Sequence, residues 1–312
     1  MTDPASITVS GVWAIGAAAL LGLSALYAAA VDSVITARAE GQMPGAAARP
    51  LWESARLMRQ RRRTTVAADR LLWRIGGSGL LVVALLMVAV VPLGQWTIFD
   101  LNVGVVWFNA MDVIVWALVW LAGWGPNSTY SLVGGYRFLA LGLGYELPLM
   151  FAMVAPAVAA GSLNVGVVSA AQHGLWFVVW MPVAFVVYCI GVFGFAVWGP
   201  FTAGLGADIA GGGGSELSGV DRLLFHGGRY ALLAAGAAFA VPMFLGGGAG
   251  PVLPGWTWAL VKTLVVLTGF VWLRRRLPVF RPDLFMEVAW VVLLPAVLVQ
   301  DLVVAVVAVW RR

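Results

Sequence analysis

Four ionisable side chains stand inside long apolar stretches of this sequence: Asp112, Glu146, Lys262 and Asp301. In hydrocarbon such groups are expensive to keep, and they mark proton or ion paths, or buried charge pairs. Acids spread over several apolar segments can pass a proton from one to the next, and a lysine among them can switch charge pairing. For each residue the competing reading is structural: a buried partner for a neighbouring arginine, or a side chain stretching to the interface.

Other chemistries lack their residues. The single cysteine, Cys189, gives no disulfide framework, no cysteine-rich zinc site and no iron–sulfur ligand set. Two histidines, His173 and His226, make no His-rich metal site. No Ser-His-Asp set, HExxH or phosphate-binding loop is present, and the Gly204-x-Gly206 pair lacks the strand that a dinucleotide site requires. No covalent or metal-liganded cofactor is expected.

The elements that must position the four ionisable residues follow from composition. Of 312 residues 62% are hydrophobic and 11% charged, with a mean hydropathy of +0.93. A soluble chain carries about 25% charged residues. The expectation is an all-α, polytopic membrane protein in one membrane domain. Eight stretches are long enough to cross, near 9–31, 77–96, 103–123, 138–160, 175–197, 230–247, 256–273 and 287–309. Under strict alternation sixteen of the 19 basic residues fall on one side, nine of them between Arg38 and Arg74. That bias predicts cytoplasmic basic loops and both termini on the opposite side of the membrane. The net charge of +5 is therefore a topology signal, and nucleic acid is not an expected partner. The first residues carry Asp3 and no basic residue, unlike a signal peptide.

Segment 49–74, with Arg56, Arg59 and Arg63 at helical spacing, reads as a cytoplasmic interfacial helix. The glycine-rich segment 199–229 reads as a flexible loop. Trp96, Trp124, Trp256 and Trp310 read as interfacial anchors.

Five runs keep a common order: Asp100–Val106, Gly123–Tyr130 with Gly134, Gly135 and Arg137, then Tyr145-Glu146 with Pro148. Phe244–Pro251 with Trp258 and Lys262 follows, then Trp272, Arg274, Pro278, Arg281, Asp283 and Met286. In order and spacing these runs resemble the H subunit of bacterial NADH-quinone oxidoreductase, the complex I component known as subunit 1 in mitochondria, found in the bacterial inner membrane. Asp32 and the segment from Pro50 to Leu57 look like weakened versions of the family's first loop. The resemblance implies a subunit that joins a membrane arm to hydrogenase-like peripheral subunits. It implies a quinone chamber, electrons from an iron–sulfur cluster in a partner subunit, and a charged chain coupling quinone reduction to proton translocation. Residues so implied for the proton and charge path are Glu146, Glu216, Asp208, Lys262 and the additional acid Asp112. Those implied for the quinone cavity are Arg137, Tyr145, Arg274, Arg281 and Asp283.

The sequence departs from the family pattern in the fifth loop. Pro200-Phe201 remain, but Phe195, Trp198, Thr202, Gly204 and Gly206 stand where the family carries charged residues. Arg229 stands where it carries a glutamate. Two other functions therefore stay open: a membrane subunit of a related energy-converting hydrogenase or ferredoxin-linked complex, and a non-catalytic anchor for peripheral redox subunits.

Overall fold

The computed structural model describes residues 7–42, 44–206 and 212–310. In chain order its helices are α1 (Trp13–Glu40), α2 (Arg49–Arg59), α3 (Arg70–Val88), α4 (Gly104–Trp124), α5 (Thr129–Ala160) and α6 (Val165–Ala170). They continue with α7 (Phe177–Trp180), α8 (Pro182–Phe195), α9 (Gly219–Phe244), α10 (Gly255–Leu273), α11 (Pro282–Val288) and α12 (Leu294–Trp310). Two-residue strands β1 (Ile7–Thr8) and β2 (Trp96–Thr97) pair in parallel. Among the described residues eight helices are long and apolar enough to cross a membrane, α11 and α12 counting as one. The chain is thus an all-α, polytopic membrane protein.

Some helices extend beyond the stretches that apolar density marks and others fall short: the 175–197 stretch is broken ahead of Pro182 into α7 and α8. α5 starts at Thr129 and α9 at Gly219, because polar residues at the bilayer edge do not end a helix whose backbone bonds continue. Segment 219–229 is therefore helix and not loop. The predicted interfacial helix stops at Arg59, where Gln60 turns extended. The chain then runs irregularly to Asp69, whose carboxylate accepts from Leu71 and Leu72 N–H at 3.1 Å and starts α3. That third helix ends at Val88, ahead of Pro92. Between α11 and α12 the helix widens to a π turn over Ala289–Leu293. Pro295 follows two residues after Leu293, and the wider turn accommodates the bond and the space that its ring removes.

The centre of the bundle is α9. It is the least apolar of the eight spans and the most buried, with 72% of its apolar window enclosed, against 11% for α1 and for the last span. Phe239 stacks on Phe108 of α4 at 3.8 Å between ring centroids, and the Tyr188 hydroxyl donates to the Gly236 carbonyl at 2.8 Å. Close approach of α9 to α3 depends on Gly228: a Cβ there would sit 2.6 Å from the Leu80 Cβ. Helices in lipid associate through such small-residue contacts.

The loops gather at two ends. At one, Arg62 pairs with Asp221 at 3.3 Å, the Arg63 amide donates to Ser218 Oγ at 2.8 Å, and the Phe280 amide donates to the Pro200 carbonyl at 2.8 Å. The connection into α9 passes through Gly219, with φ of +56°, where a Cβ would lie 2.8 Å from the Gln60 carbonyl oxygen. At the other end are the β1–β2 pair and Asn164, which caps α6 and donates to Asp100 at 2.5 Å. The predicted anchors Trp96, Trp124, Trp256 and Trp310 are all exposed.

Candidate functional site

The basic end holds a cleft of about 720 Å³. Its walls come from α5 (Arg137), the short 3₁₀ turn Gly199–Gly204 and its continuation (Thr202, Leu205), α9 (Arg222, His226, Arg229), and the α10–α11 connection (Arg274, Phe280, Arg281, Asp283). Phe201 and Phe280 meet edge to face at 5.5 Å, and Phe280 stacks on Phe285 at 5.3 Å, so an aromatic layer backs the charged one. A cavity of this volume fits a cofactor- or drug-sized molecule.

Within it, the charges are arranged by specific contacts. Arg274 donates to Asp32 of α1 at 2.6 Å. Asp32 is buried, accepts from the Tyr230 hydroxyl at 3.1 Å, and has Arg275 at 3.9 Å. Arg281 is held by Asp283 at 2.7 Å, and both are exposed. Buried Arg229 donates to the Val197 carbonyl and, at 3.3 Å, to Nδ1 of His226. Trp198 is enclosed beside these cations, with the guanidinium carbons of Arg274 and Arg229 at 4.6 and 5.8 Å from its ring. Cations over a desolvated indole are attracted by its quadrupole. So Trp198, in a position where the family pattern carries charge, still engages charge.

A second group lies inside the bundle between α4 and α5. Asp112 is fully buried, and its neighbours are Glu146 and Tyr145. Asn109 donates to Glu146 at 3.2 Å, and Trp116 donates to the Tyr145 hydroxyl at 3.0 Å. Neither Asp112 oxygen makes a hydrogen bond of normal geometry, and Glu146 Oε2 is also unpartnered. Two carboxyls sharing a dry site repel when both are ionised, and a shared proton relieves that repulsion. Tyr145 faces this pair and also meets Phe201 edge to face at 5.8 Å, which links it to the cleft's aromatic backing.

The remaining sequence candidates are scattered. Glu216 accepts from Ser128 at 3.0 Å near the basic end, outside the cleft lining. Lys262 is at the opposite end: its ammonium donates to the carbonyls of Leu245, Gly247 and Ala249 at 2.7, 2.9 and 2.8 Å, and lies 4.2 Å from the Trp176 ring. Both Asp301 oxygens are buried without a hydrogen-bond partner. Asp208 lies outside the described residues. Among the described residues no group of three His, Cys, Asp or Glu could hold a metal ion.

Sequence reasoning passed over Arg222, His226 and Asn109 as site residues. For the first two a signal existed: with Arg229 they recur at i, i+4 and i+7, one face of a helix. Reading 199–229 as a loop hid it.

A second, apolar cleft of about 630 Å³ opens between α1 and α10, lined by Tyr27, Val31, Ile35, Thr268 and Trp272, with Arg38 at its basic end.

Comparison with known proteins gives one consistent result. The family model described as NADH dehydrogenase matches residues 12–305. The first of the NADH-quinone oxidoreductase H subunits of Geobacter metallireducens is 35% identical over 265 residues, spanning 81% of this chain and 80% of that protein. The second H subunit of Geobacter sulfurreducens is 34% identical over 265 residues, with the same coverage. The second H subunit of Cereibacter sphaeroides is 38% identical over 217 residues, spanning 69% of this chain and 68% of that protein.

Proposed function

The chain belongs to the NADH dehydrogenase family, with its similarity to the H subunit of NADH-quinone oxidoreductase running over most of its length, and from that premise we propose that it forms part of a quinone chamber in a complex-I-like enzyme. It is a membrane subunit of a multi-subunit quinone oxidoreductase. The observation that carries the reading is the cleft at the basic end, large enough for a quinone ring and backed by Phe201, Phe280 and Phe285. The apolar cleft between α1 and α10 suits an isoprenoid chain.

In this reading a quinone in the cleft would become quinol by taking up two protons and two electrons, the electrons coming one at a time from an iron–sulfur cluster that a partner subunit would hold. Arg137, Arg274 and Arg281 shape the polar wall, with Asp32 holding Arg274 in place. Tyr145, Asp112 and Glu146 supply a proton store within the membrane, next to the aromatic layer that backs the cleft. Hydrogenase-like peripheral subunits cover the basic end, other membrane-arm subunits flank the exposed faces of α1 and α12, and the complex sits in the bacterial inner membrane with both termini outside.

The test is quinone reduction by the purified complex, wild type beside Glu146→Gln and Glu216→Gln. Reduction by wild type that either substitution impairs supports the reading. An intact assembly that never reduces quinone rejects it. A second reading, a membrane subunit of an energy-converting hydrogenase, draws on the uncharged Phe195, Thr202, Gly204 and Gly206. It predicts hydrogen or ferredoxin turnover in place of quinone reduction.

A further inference from the structure

Once the ion pairs at the cleft are accounted for, one set of hydrogen-bond donors remains, two arginines and a neutral imidazole between them. Arg274 is matched by Asp32 and Arg281 by Asp283. Among the described residues no carboxylate is hydrogen-bonded to Arg222, His226 or Arg229, which share one face of α9 and all line the cleft. The neighbouring carboxylates are taken: Asp221 pairs with Arg62 at 3.3 Å, Glu216 accepts from Ser128, and Glu53 receives two hydrogen bonds from Arg56 at 2.7 and 2.6 Å. Arg56 holds the Glu53 carboxyl below its usual range, and Arg222 and His226 add a weaker electrostatic attraction without hydrogen-bonding to it.

The three residues also form a gradient in depth. Arg222 is exposed at the mouth, His226 is half-buried, and Arg229 is only 7% exposed. The Nε of Arg229 is buried and has no hydrogen-bond acceptor. Because an arginine only donates, His226 Nδ1 must accept from it, and the imidazole then presents its Nε2–H as a further donor. Burying a cation and leaving its N–H groups unpaired is costly, and a ligand that brings negative charge relieves both costs.

We propose that the Arg222–His226–Arg229 face stabilises negative charge on the oxygens of the quinone ring, so that the chamber binds an anionic ring in preference to a neutral one of the same shape. The proposal rests on the quinone-chamber reading above and adds the charge state that the chamber selects. The electron and proton count is unchanged: two electrons from the partner's iron–sulfur cluster and two protons turn quinone into quinol. Electrons that arrive before the protons leave negative charge on the two ring oxygens. The α9 face meets that charge with guanidinium and imidazole N–H donors.

The test uses the purified complex and two stable probes. One is a hydroxynaphthoquinone whose ring hydroxyl is ionised at neutral pH; the other is its uncharged methyl ether. Their dissociation constants are read from calorimetry at low and raised ionic strength. The wild-type complex binds the anion about tenfold more tightly, the effect of one charge-assisted hydrogen bond. The preference persists in salt, because buried charges are screened little. Arg229→Gln removes most of it. Should that variant fail to assemble, Arg222→Gln at the mouth narrows the preference and Arg222→Glu reverses it.

Equal binding of the two probes by wild type overturns the proposal while leaving the chamber reading intact. Failure of both probes to bind overturns the two together. A preference that survives Arg222→Glu and Arg229→Gln overturns the assignment to this face. So does loss of a peripheral subunit from Arg222→Gln with probe binding unchanged, which gives the stripe to subunit docking.

Discussion

Asp32 in the first span and Arg274 at the end of the seventh close a 2.6 Å hydrogen-bonded ion pair across 242 residues of chain. The pair ties α1 to α10 at the wall of the basic cleft, and Tyr230 joins it from α9. Removing one member of a mostly enclosed pair leaves the other uncompensated. Asp32→Asn is expected to destabilise the subunit by about 2 kcal/mol, less than a fully buried pair because Arg274 keeps some solvent contact. The check is thermal unfolding of the purified complex alongside quinone turnover, both of which should fall. An unchanged midpoint would show that Arg274 finds another partner.

Asp112→Asn preserves shape and removes the second carboxyl of the buried pair. Assembly should survive. Quinone reduction coupled to proton uptake should fall by roughly tenfold or more, the scale on which positioned proton carriers act. If Asp112 and Glu146 act as one proton store, as proposed, the double variant Asp112→Asn/Glu146→Gln should be little worse than the more damaging single change. Additive losses, measured as proton release in sealed vesicles, would mean two independent sites.

Lys262 satisfies three carbonyls after the end of α9. Its geometry favours a structural task, so Lys262→Met should lower stability by about 3 kcal/mol through the exposed backbone acceptors. Lys262→Arg should rescue little, since a planar fork does not match three converging oxygens. A variant that melts like wild type yet loses proton coupling would return Lys262 to the charge path.

Ser215 is exposed at the basic end, between the 3₁₀ turn and α9. A cysteine placed there should react with an impermeant maleimide in inside-out vesicles stripped of peripheral subunits and not in intact cells. The reverse pattern would invert the orientation read from the arginine bias.

The eight spans were legible because apolar density is what lipid selects. Their ends were not, since α5 and α9 continue for more than two turns through residues such as Arg137, Arg222 and Arg229 that an apolarity reading treats as loop. The resemblance pointed to Arg137, Tyr145, Arg274, Arg281 and Asp283; the fold brings four of them to one cleft and places Tyr145 inside the bundle beside Asp112. It also pointed to Lys262, which the fold places at the far end. The acceptors around Lys262 are backbone carbonyls, and these leave no trace in residue identity. The Asp32–Arg274 pair was hidden for another reason: it depends on how α1 and α10 pack, and local pattern says nothing of that.

The ranking of the spans, with the most enclosed helix the least apolar, bears on how the protein is made. A segment opening with Asp221, Arg222, His226 and Arg229 is a poor candidate to partition into lipid alone during synthesis. The strongly apolar α1 and α4 can enter the bilayer as they emerge from the translocon. α9 gains its place chiefly from α3 and α1, synthesised before it, and from α10, synthesised after it. Biogenesis of this subunit is therefore ordered in part by chain position: truncations ending shortly after Phe244 retain α1 and α3 but lose α10 and should insert α9 less fully than the whole chain, whereas α9 expressed on its own should stay out of the membrane.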